Sequence, residues 1–334
     1  MRLDVDGHCR VMQLSSSRID RLGKRLCLSG SSELATEEDL RLLAGWRAEF
    51  QPQYERVLGQ VRTVAVGDVA GRPAKTTGAI VAKLKRQSLR LSQMQDVSGC
   101  RAIVSGIDQQ NHLVRALCRI FPDNRVCDRR QTTSHGYRAV HVVVGSDRLV
   151  EIQVRTQLQH VWAEWSDALT TVFGDEVKYG GTIPGQPMLR VQLTTLSGAI
   201  AQLEAPSPSQ PNIAATLVSG FAFVVVAHIL DGYLPTELKF RTRVNDRGPG
   251  KVAGIVLVGF DRETRSLQLL ESFTSLDRAA ALDRRLEVEL THPGLEVNLL
   301  EADSLNQLTR THPRYFGRDA LKAVGRSLTD PAGE

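Results

Sequence analysis

The sequence predicts an α/β (α+β) fold in which strands and helices alternate along the chain, and three patterns carry that expectation. VEIQVRT (150–156) alternates apolar and polar residues, which sends Val150, Ile152 and Val154 to one face of a strand and Glu151, Gln153 and Arg155 to the other. AVHVVV (139–144) is a second β-branched run, and the short GSDR segment between the two reads as a hairpin connection. CRAIVSGI (100–107) reads as a third strand, followed by the helical pattern NHLVRALCRIF (111–121).

The remaining elements follow in order. Residues 1–35 are charged and irregular, with weak helical signal. Thr36 is a helix N-cap candidate with acids in the turn after it. From there Leu40, Leu43, Arg47, Phe50, Tyr54, Val57 and Val61 recur at three- and four-residue steps, a helical stripe that Pro52 kinks or splits. A second helix covers Thr76–Arg86 and ends in the basic cluster Lys83, Lys85, Arg86. QLQHVWAEWSDAL (157–169) places Leu158, Val161, Trp162, Trp165 and Leu169 on one helical face, the simplest reading being core. His160, Glu164 and Asp167 form a second stripe. A further helix is expected near 189–204.

APSPSQP (205–211) reads as a linker. Beyond it, residues 212–334 are expected to form a smaller α/β unit. Its strands are 252–261, 266–273 and 295–300; its helices are 275–290 and one beginning near Ser304. The apolar run Phe221–Leu230 is interrupted by His228 and falls short of the ~20 residues of a membrane span.

A chain of 334 residues suits two domains. The net charge of +5 suits a phosphate-rich partner and is also compatible with an inert surface. Five cysteines, Cys9, Cys27, Cys100, Cys118 and Cys127, are scattered without a CxxC pair, so reduced thiols and a cytoplasmic location are expected rather than a zinc or disulfide framework. No membrane association is expected.

The chemistry-bearing residues fall into two clusters. GRPAKTTGAIVAKLKRQ (71–87) is basic at spaced positions, and QDVSGCRAIV (95–104) puts Asp96 just before a strand and Arg101 within it. Asp96 and Glu151 together could hold magnesium, which takes oxygen ligands and completes its shell with water and phosphates. Lys75, Lys83, Lys85 and Arg101 could neutralise a triphosphate, and Tyr137 could stack on a base. The Lys83–Arg86 run reads equally as a solvated helix face. His160 with Glu164 mimics a metal spacing but lacks a third ligand.

RPAKTTGAIVAKL, LSQMQDVSGCRAIV, HGYRAVH and VEIQVRTQLQHVWAE, in this order, resemble the RelA/SpoT synthetase family, which makes the alarmones ppGpp and pppGpp. The resemblance spans roughly residues 36–181 and implies a nucleotidyltransferase-like domain over 36–204, with a mixed sheet flanked by helices. It implies a GTP pyrophosphokinase that moves the β,γ-pyrophosphate of ATP to the 3′-hydroxyl of GDP or GTP and leaves AMP. By the same resemblance Asp96 and Glu151 are the Mg2+-site acids, with Glu151 also activating the attacking hydroxyl. Lys75, Arg101 and Lys83 fall on the ATP-phosphate side. Tyr137 stacks on guanine beside His141, and Gln153 and Arg155 line the same pocket. Two departures bear on the acceptor: His135 stands where synthetases often carry Asn, and CDRRQTTSH lacks a common Pro-Lys element. The family's hydrolase His-Asp pair is absent, so alarmone hydrolysis is not expected. A toxin-type relative acting on the 3′ end of tRNA, a catalytically silent nucleotide-binding regulator and a homo-oligomer are the alternatives this reading leaves open.

Overall fold

The computed structural model describes residues 14–28, 35–183, 185–205, 254–264 and 266–316. Residues 206–211 of the 205–211 linker, the Phe221–Leu230 run and Cys9 lie outside the described residues. Helix α1 (Ser16–Leu28) forms in the segment with weak helical signal; Ile19, Leu22 and Leu26 give it one buried stripe. Thr36 caps α2 (Glu37–Ala48), its hydroxyl accepting from the Asp39 amide at 3.2 Å. The long stripe splits at Glu49–Phe50, and α3 (Gln51–Val64) opens with Pro52 in its first turn, where a missing N–H leaves no hydrogen bond unmade. Every member of the stripe from Leu40 to Val61 is buried, Arg47 included.

Eight strands form one sheet: β1 (Asp68–Arg72), β2 (Ser98–Val104), β3 (Asn124–Asp128), β4 (Val140–Val144), β5 (Val150–Thr156), β6 (Gly254–Asp261), β7 (Ser266–Phe273) and β8 (Leu295–Ala302). Their spatial order is β3-β4-β5-β2-β1-β8-β6-β7. The β2–β5 pair is parallel and the other pairs are antiparallel, so the sheet is mixed, as the resemblance implies. Strands β1 and β3 were not legible in the sequence.

One face of this sheet is apolar. Cys100, Ala102, Val140, Val142, Ile152 and Val154 pack against Tyr54, Val57 and Val61 of α3 and Leu113 and Leu117 of α5 (Ile107–Ile120). Strand alternation then forces Arg101, His141, Glu151, Gln153 and Arg155 onto the opposite face. Register aligns them, with His141 opposite Gln153 and Arg101 opposite Gln153 on the other side. Gly99 pairs with Glu151, and a Cβ there would lie 2.5 Å from the Glu151 carbonyl oxygen, so only glycine lets β2 approach β5 this closely.

Helices α4 (Thr77–Gln87), α6 (Gln157–Phe173), α7 (Glu176–Tyr179) and α8 (Leu189–Leu203) complete the first part of the chain. Trp162, Trp165 and Leu169 of α6 share a core with Leu189, Leu193 and Leu196 of α8.

The sequence predicts a separate smaller unit after the linker, but its strands extend the same sheet, with β8 joining β1 through Gly71 and Glu301. Glu301 fastens this junction. It is buried and accepts from Tyr54 Oη at 3.2 Å, Arg62 at 3.3 Å and Arg278 at 2.8 Å. Helix α9 (Arg278–Thr291) packs Ala281 and Val288 on the face carrying Ile255, Leu257, Val297 and Leu299. Helix α10 (Leu305–Thr311) packs Leu305 and Leu308 on the opposite face with Ala70, Val256, Val258 and Leu300. Ala70 is the register partner of Arg101, so α10 lies on the polar face.

Candidate functional site

Five side chains from β4, β5 and the loop before β4 form one hydrogen-bonded chain. Arg155 Nη2 donates to Tyr137 Oη at 3.0 Å; Tyr137 Oη and His141 Nε2 are 2.9 Å apart; His141 Nδ1 and Glu151 Oε1 are 2.7 Å apart. Gln153 Nε2 donates to Glu151 Oε2 at 3.0 Å. One assignment of protons satisfies every link with a neutral imidazole. The Tyr137 oxygen accepts from Arg155, its hydroxyl donates to Nε2, and Nδ1–H donates to the ionised Glu151. Burial pushes the Glu151 carboxyl up, but His141 and Gln153 outweigh it and hold the group below its ordinary range; the Asp96 charge pushes the other way. Arg155 is 5% exposed, its guanidinium lies 5.1 Å from the Tyr137 ring centroid, and its Nε and Nη1 have no hydrogen-bond partner. Buried donors left in that state favour an anion beside them.

The second cluster centres on Asp96. Lys75 Nζ meets Oδ2 at 2.7 Å and Lys83 Nζ meets Oδ1 at 2.7 Å. Burial pulls the Lys75 ammonium down to about 8, with Asp96 opposing. Burial acts to raise the Asp96 carboxyl, yet the two lysines overcome it and hold Asp96 far below the usual carboxylate range. Arg72 Nη2 donates to the Asp96 carbonyl at 3.1 Å. Arg72 opens the RPAK motif, three residues before Lys75.

Arg101 lies beside the first cluster, opposite Gln153, but its hydrogen bonds go elsewhere. Its Nη1 donates to Glu164 Oε1 at 3.1 Å and to the Thr311 carbonyl at 2.6 Å. His160 Nε2 donates to the Arg310 carbonyl at 2.8 Å, and its Nδ1 is 3.6 Å from Glu164. His160 Nε2 and Glu164 Oε1 are thus engaged by protein partners. Arg310 is itself anchored to Asp68 at 2.6 and 2.7 Å. His312 follows; burial and the charges of Arg101, His160, Arg72 and Arg155 hold its imidazole well below the ordinary range. No local pattern announces the contacts with residues 310–312, because the two sides are 150 to 242 residues apart in sequence.

Asp96 and Glu151 offer oxygen donors, and the charge of Asp96 is felt at Glu151. That donor set fits magnesium, which takes one or two carboxylates and leaves the rest of its shell to water and phosphate. Among the described residues no group of three or more His, Cys, Asp and Glu side chains converges as a metal cage.

Residues 71–170 match the family model described as the region found in RelA / SpoT proteins. That stretch of the chain is similar to the RelA/SpoT region. The uncharacterized protein Rv1366 of Mycobacterium tuberculosis is 31% identical over 158 residues, which cover 42% of this chain and 56% of the relative. The chain thus spans about half the length of the curated relatives it matches. The small alarmone synthetase 1 of Bacillus subtilis bound to its product pppGpp is similar at 24% identity, over 49% of this chain and 91% of that one, with a TM-score of 0.38. The same Bacillus subtilis protein bound to AMPCPP is similar at 18% identity, over 57% and 96%, with a TM-score of 0.36. All four quoted sequence motifs overlap the matched RelA/SpoT region.

The departure at His135 has a backbone counterpart. His135 has φ +53° and Gly136 φ +93°, a left-handed conformation that Asn tolerates better than most side chains. A Cβ on Gly136 would also lie 2.8 Å from Trp162. The His135–Gly136 corner delivers Tyr137 to the chain that ends at Glu151. Among the described residues no helix is long and apolar enough to cross a membrane.

Proposed function

We propose that this protein is an ATP-dependent pyrophosphokinase whose acceptor is GDP or GTP and whose products are ppGpp or pppGpp and AMP. The observation that carries the reading is the Arg155–Tyr137–His141–Glu151 chain beside the Asp96 lysine cluster, both within a RelA/SpoT region. The synthetase unit is assigned to residues 36–204.

An ionised Glu151 can take the proton of the ribose 3′-hydroxyl, which is a poor nucleophile at neutral pH. As that proton leaves, the 3′-oxygen bonds to the β-phosphorus of ATP, and the bond from that phosphorus to the oxygen bridging to the α-phosphate breaks. The electron pair goes to AMP. His141 and Gln153 hold the carboxylate in place throughout. Lys75 and Lys83 turn from Asp96 to the phosphates and offset their charge, and the free donors of Arg155 offer a further anion contact. The exposed part of the Tyr137 ring is the stacking surface for guanine. Magnesium, held by Asp96 and Glu151, would supply Lewis-acid charge at the phosphate oxygens.

The test offers purified full chain, magnesium and γ-labelled ATP to GDP, GTP and deacylated tRNA. Label on the guanine nucleotides is expected. Label on tRNA alone would replace the acceptor in this proposal, and no transfer to any of the three would refute the enzyme reading.

A further inference from the structure

The loop Pro73–Thr77, which carries Lys75, is gripped from several sides. Gln51 Nε2 donates to the Pro73 carbonyl at 3.1 Å, and Ser98 Oγ bonds the same oxygen. The Lys75 amide donates to the Val97 carbonyl at 2.7 Å. The next two carbonyls are taken by Arg285 of α9. Its Nη1 donates to Ala74 at 3.2 Å and its Nη2 to Lys75 at 3.0 Å.

Arg285 is 2% exposed, so a fully desolvated cation is spent on two backbone oxygens. It is kept there by Glu289, one turn on, at 3.3 Å. Glu289 also accepts from Arg47 at 3.1 Å and from Thr77 Oγ1 at 2.9 Å, while Arg47 Nη2 donates to Thr77 Oγ1 at 2.8 Å. The network therefore begins on α2, passes through the first residue of α4 and ends on the carbonyl of Lys75 itself. A buried arginine that only stabilised α9 against the sheet would need no contact with this loop.

We infer that Arg285 is a positioning residue for the donor nucleotide: through the Ala74 and Lys75 carbonyls it fixes the backbone from which the Lys75 ammonium reaches Asp96 and the phosphates. The C-terminal part of the chain is then a working component of the phosphate grip. This rests on the function proposed above only for the identity of the donor. A loosened loop would let the Lys75 ammonium drift from Asp96, which it meets at 2.7 Å.

The experiment compares Arg285→Met and Arg285→Lys with wild type, all as full chain. Amide hydrogen exchange across residues 73–78 is measured alongside the KM for ATP and for the acceptor. Arg285→Met should speed exchange in that loop at least tenfold and raise the KM for ATP about tenfold, leaving the acceptor KM within twofold. Arg285→Lys, which keeps a donor, should recover part of both effects. A merely structural role lowers the active fraction and hence Vmax, with both KM values unchanged; that outcome, or unchanged loop exchange, overturns the inference. Should Arg285→Met fail to fold, Arg285→Lys is judged by the same two criteria. Absence of transfer by wild type would sink the proposed function alone, because loop exchange still reports on Arg285.

Discussion

The Lys75 ammonium gives the site a pH dependence that can be worked out from its surroundings. Its pKa falls from an ordinary 10.5 to about 8 because burial penalises the cation more than Asp96 supports it. At about 1.4 kcal/mol per unit, that is roughly 3 kcal/mol of bias against the charged form. A phosphate-binding lysine that deprotonates near 8 should weaken donor binding in alkali by up to tenfold per pH unit. Lys75→Arg removes the titration, since a guanidinium stays charged. Asp96→Asn shifts it. An opposite charge in direct contact raises a lysine by about one to three units, so the limb should move from near 8 to between about 5 and 7. The assay is calorimetric binding of a non-hydrolysable ATP analogue in magnesium-free buffer from pH 5 to 9.5 at fixed ionic strength, which keeps loss of a metal ligand out of the comparison. Wild-type affinity that stays flat to pH 9.5, or an alkaline limb that survives in Lys75→Arg, would refute the assignment. The pH slope of stability has the same sign for the two partners, because folding depresses both groups, but it falls in different pH windows. Between about 8 and 10.5 the unfolded chain holds a proton that folded Lys75 has released, so this group's contribution to stability rises with pH there. Asp96, depressed on folding, contributes fully above its unfolded value near 3.9, and the contribution is lost as the pH falls below it.

Glu151→Gln should cut transfer by about 10²–10⁴ with folding retained, checked by label transfer and thermal melting; activity within tenfold of wild type would mean another group takes the proton. Tyr137→Phe deletes the oxygen that Arg155 donates to and the hydroxyl that bonds His141, so urea unfolding should show a loss of about 1–3 kcal/mol and acceptor KM should rise. Arg47→Met leaves Glu289 with Arg285 as its remaining charge partner in a buried network, and the expected cost is about 3 kcal/mol by denaturant titration.

The motif-bearing strands were legible because alternation is a local property. Once Val150, Ile152 and Val154 face the core, Glu151, Gln153 and Arg155 have no other side to occupy. Strand β3 carries no sequence signal because NRVCD is an edge strand whose residues are largely exposed, so burial imposed no pattern on it. Helix α1 was faint for the opposite reason: its apolar stripe is short and set among charges. Within the site, the sequence named the members of the Glu151 chain and of the Asp96 cluster, but hydrogen-bond order is a matter of distance. It placed Arg101 with the phosphate ligands, whereas its nearest partners are Glu164 and the Thr311 carbonyl.

The sequence by itself determined the strand faces, the capped and split helix after Thr36, and the candidate acids and bases Asp96, Glu151, Lys75 and Lys83, all carried by short local motifs. Tertiary structure alone decided that β8 pairs with β1, that Arg285 reaches back to the Lys75 loop, and that Thr311 meets Arg101. Those contacts join residues more than two hundred positions apart, and no periodicity in a chain encodes which distant carbonyl a buried arginine will find.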